Sequence, residues 1–394
     1  MAIAGLRGTG DWGTDERPKN FRETILWRQP NGMTPITGLL SKVGSESVND
    51  PEFNWWEEQL ETIRVNLNGA IADGVDTTFD IDSGGTNLVP GDLLLVEKAD
   101  AAAYDNEIVE VSVVTSDVAI TVIRGAAGTV AAAIPDNSNL MKIGNVYAEG
   151  TGAPNSSTRN PTKNFNYCQI FKTTYELTET AKKTYARTGD PLKNDKKRKM
   201  FDHSIALEWA FLLGRKSETT GSNGKPKRTT GGVRQFLTSN VTIFGGGGPV
   251  AGEDTFLTAT YPVFNFNSTA GDERIIFCGN LALNKLNQVA RDSGSSRINH
   301  GEVIKLYGMN LTKWVIPQGT FYIKTHPLLN NHPIYSASMF VMDFSSLKYR
   351  YLRDTFFKDN VQSNDSDTEK GQWLSECGLE FHHQVTMAYL GNFQ

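Results

Sequence analysis

The chain has 394 residues, with 39 basic and 44 acidic side chains and a formal net charge of -5. That length exceeds one simple core and implies two or three domains, and the near balance of charge excludes a global field that would draw the whole protein onto nucleic acid or an anionic membrane. Thirty-seven glycines and 10% aromatics favour many short strands over a helical bundle.

Met1 to about Asp50 reads as an extended arm, with Gly5, Gly8, Gly10 and Gly13 early and Pro18, Pro30 and Pro35 later. Only Phe21 to Arg28 has the pattern of a short helix. The next stretch, "PEFNWWEEQLETIR" from Pro51 to Arg64, poses a question of cover. As a strand it sets Phe53 and Trp55 on one face and Trp56 and Leu60 on the other, so large aromatics stand on both sides.

From Asn66 to about Asn145 the runs "TTFDID", "DLLLVEK", "EIVEVSVV" and "VAITVIRG" predict a small β module separated by turn residues such as "SGGTNLVPGD". Strand-like sequence precedes it (Phe53 to Val65) and follows it (Phe165 to Leu177), so it reads as an insertion at the tip of a two-stranded arm. "TGAPNSSTRNPTKN" before the return strand is a loop signal.

A long helix is predicted from Asp190, a favourable N-cap followed by Pro191, with Phe201, Ile205, Trp209, Leu212 and Leu213 as its apolar stripe until Gly214. The segment Gly214 to Gly232 reads as a flexible basic loop, "TSNVTIF" as a strand and "GGGG" as a connector. "RIIFC" leads into a second helix, Asn280 to Arg291, with Leu283, Leu286 and Val289 on one face. Beyond Arg297 the chain is mainly β: "EVIKLY", "KWVIP", "TFYIKT", "MFVMDF" and a last strand "LEFHHQVTMAYL", interrupted by the polar loop "QSNDSDTEKGQ".

The chemical motifs are weak. "GTGDWG" at Gly8 to Gly13 has no preceding strand or following helix, "GGGGP" lacks the lysine of a phosphate loop, and "DIDSGG" at Asp80 to Gly85 lacks the later ligands of a calcium loop. His382 and His383 are adjacent and would face opposite ways on a strand, and the other histidines show no metal-ligand spacing. No serine sits in a GxSxG elbow. Cys168, Cys278 and Cys377 are far apart and read as buried thiols of a reducing compartment. The N-terminus has no signal-peptide pattern and no apolar run reaches eighteen residues, so a soluble, untargeted chain is expected. No catalytic residue, metal or cofactor is assigned. The run "KNDKKRK" at Lys193 to Lys199 reads as a solvated helix face or, because the dipole disfavours cations in the first turns, as a site for an anionic partner, either carboxylates of a neighbouring chain or a phosphate backbone.

This order of parts resembles the major capsid proteins of tailed bacteriophages, the Hong Kong 97-type fold, in the sub-family with a small β insertion in the E-loop. The residues that carry the likeness are "MTPITGLL" at Met33 to Leu40 with "FNWW", "VPGDLLLV" at Val89 to Val96, "TVIRGAAGTVAAA" at Thr121 to Ala133, and "NYCQIFKTTYELTETA" to "GDP" between Asn166 and Pro191. The resemblance implies an α+β fold with an N-terminal arm (1–50), E-loop arms (51–66 and 146–178), a β insertion domain (67–145), a peripheral domain with the spine helix (179–254), an axial domain (255–342) and peripheral return strands (343–394). It implies self-assembly into hexamers and pentamers of an icosahedral shell in the virion, built in the host bacterial cytoplasm around packaged double-stranded DNA, with portal, scaffolding and decoration proteins as further partners and no membrane. The N-terminus is too short for the large scaffolding segment of some relatives, so a separate scaffolding protein is expected.

Under this reading the arm lies across the next subunit, which covers Trp55 and Trp56. Glu57, Glu58 and Glu61 would meet cations there, with Lys196, Lys197 and Arg198 as candidates. The rival is a β-rich virion or surface binding protein, a carbohydrate-binding or fibre component that recognises its target through the Asn66 to Asn145 module.

Overall fold

A computed structural model describes residues 34–58, 63–97, 107–158, 160–292, 298–306 and 309–394. The expected helix at Phe21 to Arg28 and the "GTGDWG" motif lie outside them. The chain divides into two compact units, one drawn from Met1–Trp55 and Asn164–Gln394, the other Trp56–Lys163.

The described chain opens with α1 (Pro35–Val43), β1 (Ser45–Ser47) and β2 (Glu52–Glu57). The second unit holds β3 (Arg64–Asn66), β4 (Thr78–Asp80), β5 (Asp92–Glu97), β6 (Ile108–Ser116), β7 (Ala119–Ile123) and β8 (Asn139–Asn145). These form one antiparallel sheet in the order β3-β8-β5-β6-β7-β4. Leu67, Phe79, Ile81, Leu94, Val96, Val109, Val111, Ile120 and Leu140 are fully buried in its core, as alternation along half-buried strands requires. A bulge between Val111 and Val113 shifts the register, and Val113 emerges half exposed although it continues the buried series of Val109 and Val111.

Two of the quoted motifs have structural roles in this unit. In "VPGDLLLV" the buried Asp92 accepts hydrogen bonds from the Val89 amide (2.9 Å) and from Lys142 (2.6 Å). Gly91 is in the left-handed region (φ 94), and an added Cβ would lie 2.5 Å from the Tyr147 ring. In "VIRGAAGT" the Arg124 guanidinium forms a bidentate pair with Glu107 at 2.7 Å and donates to the carbonyls of Asp73, Asp76 and Ala132. That buried pair is fully hydrogen-bonded, the condition under which burying it is tolerated.

The chain returns through β9 (Thr162–Tyr167), the partner of β2, and β10 (Gln169–Thr178), then α2 (Glu179–Lys183) and α3 (Pro191–Leu213). Asp190 caps α3 by accepting from the amides of Leu192 and Lys193. The buried residues of α3 are His203, Leu207, Glu208, Phe211 and Leu212, whereas Phe201, Ile205, Trp209 and Leu213 are only half-buried. The expected stripe is therefore displaced around the helix. The displacement has a cause: His203 meets Thr173 at 3.1 Å and Ser375 at 2.7 Å, so polar groups occupy core positions because neighbouring elements satisfy them.

After α3 the segment expected as a flexible loop is a hairpin, β11 (Ser217–Thr220) with β12 (Pro226–Thr229). There follow α4 (Val233–Phe236), β13 (Val241–Ile243), α5 (Glu253–Thr260), β14 (Glu273–Cys278) and α6 (Asn280–Asp292). Then come β15 (Ile298–Leu306), β16 (Met309–Ile316), β17 (Gly319–Thr325), α7 (Pro327–Asn330), β18 (Met339–Met342), β19 (Leu347–Lys358), β20 (Thr368–Phe381) and β21 (Ala388–Gly391).

Two sheets organise this first unit. The four-stranded sheet runs β1-β19-β20-β10, and the seven-stranded one β13-β21-β18-β14-β17-β16-β15. On β14, Ile275 and Phe277 join the core shared with α1 and α3, while Ile276 and Cys278 join the core under α5 and α6. A strand covered on both faces reads as the unbroken apolar run "IIFC" from Ile275 to Cys278.

Three further expectations are corrected. Pro35–Val43 is a helix rather than extended arm: Ile36, Leu39 and Leu40 form an i, i+3, i+4 face buried in the core. "LEFHHQVTMAYL" is not one strand, because β20 ends at Phe381 and His383 adopts φ 49 before a turn into β21. "QSNDSDTEKGQ" is loop only as far as Asp367, its second half being the start of β20. The stretch 343–394 thus contributes to both sheets.

Candidate assembly surface

Alternation along β2 separates the two indoles. Trp55 is 5% exposed and Trp56 62%. Trp55 packs against Phe53, Phe236 and His382 within the first unit, at ring distances of 6.2, 5.8 and 5.8 Å, with Cys168 in the same cluster. The expectation that a neighbour covers both indoles is corrected for Trp55, whose cover comes from its own chain. Trp56 keeps the exposed face with Asn54 on the same side, and Glu58, just past the end of β2, is exposed as well. Glu57 is half-buried, and Glu61 lies outside the described residues.

The cations of α3 are also engaged at home. Lys196 stands 3.5 Å above the Phe357 ring, a cation–π contact, and its carbonyl accepts from the Trp373 indole. Arg198 pairs with Asp195 at 2.8 Å and Lys199 with Asp202 at 3.3 Å, each one helical turn apart. Lys197 is exposed. Asp190, Asp195 and Asp202 thus supply local partners to Lys193, Arg198 and Lys199.

Sequence reasoning missed the anchors that hold the N-terminal segment. Glu208, fully buried on α3, accepts from the amides of Ile36 and Thr37 at 2.8 Å and from the Thr37 hydroxyl at 2.6 Å, supplying the cap that Thr34 does not give to α1. His326 Nε2 lies 2.8 Å from the same carboxylate. A second anchor holds β1: Glu46 binds Lys348 and Arg350, and Arg350 binds Glu380, which also meets His382. Burial alone would raise the Glu380 carboxyl, but hydrogen bonds from His382 and Arg350 outweigh it and bring the pKa to about 2. No local motif signals either anchor, because the partners lie 172 and 304 positions apart in the chain.

The surface available for association therefore comprises the exposed strand faces and loops of each unit. A family profile of phage shell proteins matches this chain across residues 7–394. The chain belongs to the SU10 major capsid protein family: it is a structural component of a phage head, a building block of the shell of the virion. A curated relative, the major capsid protein of Pseudomonas phage PaMx41, is 28% identical over 342 residues, covering 85% of this chain and 78% of that protein. Among solved structures, the capsid of a native GTA particle is similar with a TM-score of 0.47 at 10% identity, covering 97% of each chain. Mycobacterium phage Bobi gives 0.48 at 8% identity over 95% of each. Among the described residues no helix is long and apolar enough to cross a membrane.

Proposed function

We propose that this chain builds an icosahedral head of hexamers and pentamers on the Hong Kong 97-type plan, enclosing double-stranded DNA and assembled in the host cytoplasm. Its action is geometric: 51–66 and 146–178 are the E-loop arms, 67–145 is the β insertion, α3 is the spine helix, and the two sheets of the first unit are the peripheral and axial parts. The observation that carries the reading is Trp56, 62% exposed on a strand whose opposite face is sealed. A large aromatic so placed is an interface residue in waiting. Contacts with DNA are non-specific and salt-dependent, and portal, scaffolding and decoration proteins complete the particle.

Electron microscopy of the purified chain tests this. Shells, sheets or tubes are expected, and monodisperse small particles under all assembly conditions would count against it. Trp56→Ala should reduce particle yield while leaving subunit stability within about 0.5 kcal/mol, as for other exposed positions.

A further inference from the structure

The first unit carries a cationic groove of about 800 Å³ between β10 and the β11–β12 hairpin. Strand β10 is the outermost strand on its side of the four-stranded sheet, so along the groove one backbone edge is open to another strand. Ile170 and Lys172 are exposed on β10, and Lys225 and Lys227 on the hairpin. Among the described residues these three lysines have no carboxylate partner, unlike Arg228, which holds Glu218 at 2.7 Å, and the wall residue Glu376, which is held by Arg353 at 2.7 Å. On α3, by comparison, Lys193, Arg198 and Lys199 each hold a carboxylate of the same helix or its cap.

We infer that this groove receives the exposed face of β2 from a second copy of the chain, with Trp56 against Ile170 and the lysine stems and Glu58 meeting Lys172, Lys225 and Lys227. Charge complementarity selects this occupant: the exposed Glu58 carboxylate follows the exposed Trp56 at the end of β2, and Lys172, Lys225 and Lys227 line the groove together with the exposed Ile170. An indole beside ammonium groups gains a cation–π contact as well as burial. The inference rests on the shell reading above and moves the receiving cations from the spine helix to the groove.

The test co-assembles two singly substituted full-length chains, Glu58→Cys and Lys225→Cys, distinguished by tags of different length. Oxidation of the assembled particles should give the mixed dimer on a non-reducing gel, and replacing Lys225→Cys by Lys197→Cys should abolish it. Reversal of charge gives a second measurement: Glu58→Lys, or Lys172→Glu with Lys227→Glu, should each lower particle yield at least tenfold, and their combination should recover it, with the melting of the subunits unchanged. Particles that form without the mixed dimer and ignore the reversals would overturn the docking inference and leave the shell reading intact. A wild-type chain that never forms particles overturns both. Retention of a double-stranded oligonucleotide by the wild-type chain, lost in the lysine variants with particle yield unchanged, would assign the groove to nucleic acid and overturn the inference.

Discussion

At the scale of single residues, the most consequential side chain is one that a sequence reader would place on the surface. Glu208 sits in the C-terminal third of α3 with no exposure and four donors around it. Removing it by Glu208→Ala leaves the α1 amides, the Thr37 hydroxyl and the His326 ring unmet. Each buried group left so costs about 1–3 kcal/mol, so a loss of about 3 kcal/mol or more is expected in the urea unfolding of the chain. Glu208→Gln keeps one carbonyl acceptor and should lose less. Glu380 gives a pH signature. Its folded pKa of about 2 lies below the ordinary glutamate value of roughly 4.3, so its stabilising contribution is complete above that value and fades as pH falls toward 2. Thermal melting between pH 5 and pH 2 should show a steeper decline for the wild type than for Glu380→Gln, which has no such carboxylate to protonate.

Elements are fixed by contacts that reach across the sequence. At the foot of β2, Gly378 on β20 lets Phe53 and β9 approach closely: an added Cβ would stand 2.6 Å from the Tyr167 carbonyl oxygen and 2.8 Å from the Phe53 ring. Because the obstructing atom is backbone, relief requires β9 to move. Gly378→Ala should destabilise the chain by about 1–3 kcal/mol, read from denaturant midpoints, and should raise the fluorescence response of Trp55 to quencher as its cover loosens. Such dependence also explains which elements were legible. The cap Asp190, the proline after it and Gly214 at the end gave α3 its bounds from local chemistry alone, and the alternation in "DLLLVEK" gave β5. The nine-residue α1 was missed because one short apolar face does not stand out among prolines and glycines, and its cap comes from α3. The hairpin β11–β12 was missed because both strands are polar, mostly exposed and hold together by backbone pairing rather than by an apolar face.

For the whole molecule, three cysteines report on integrity. Cys168, Cys278 and Cys377 are buried, and burial pushes each thiol up to about 12. A disulfide reagent at pH 8 should therefore label none of them rapidly in the native subunit and all three after unfolding, since the thiolate is the reactive form. Rapid labelling of one thiol in assembled particles would show that its part of the fold opens in the shell. Burial of the apolar clusters within each unit also confines association to exposed strands and loops.

By itself the sequence determined the elements with strong local signals, the order of those elements, the independent β character of the region after Arg64, and membership of a capsid class through its motifs. Only the tertiary structure decided which indole is covered, which α3 face is core, and which cations remain unmatched. The physical reason is range: caps, alternation and turns act over a few residues, whereas the neutralisation of a charge or the burial of a ring depends on whatever distant segment folds against it.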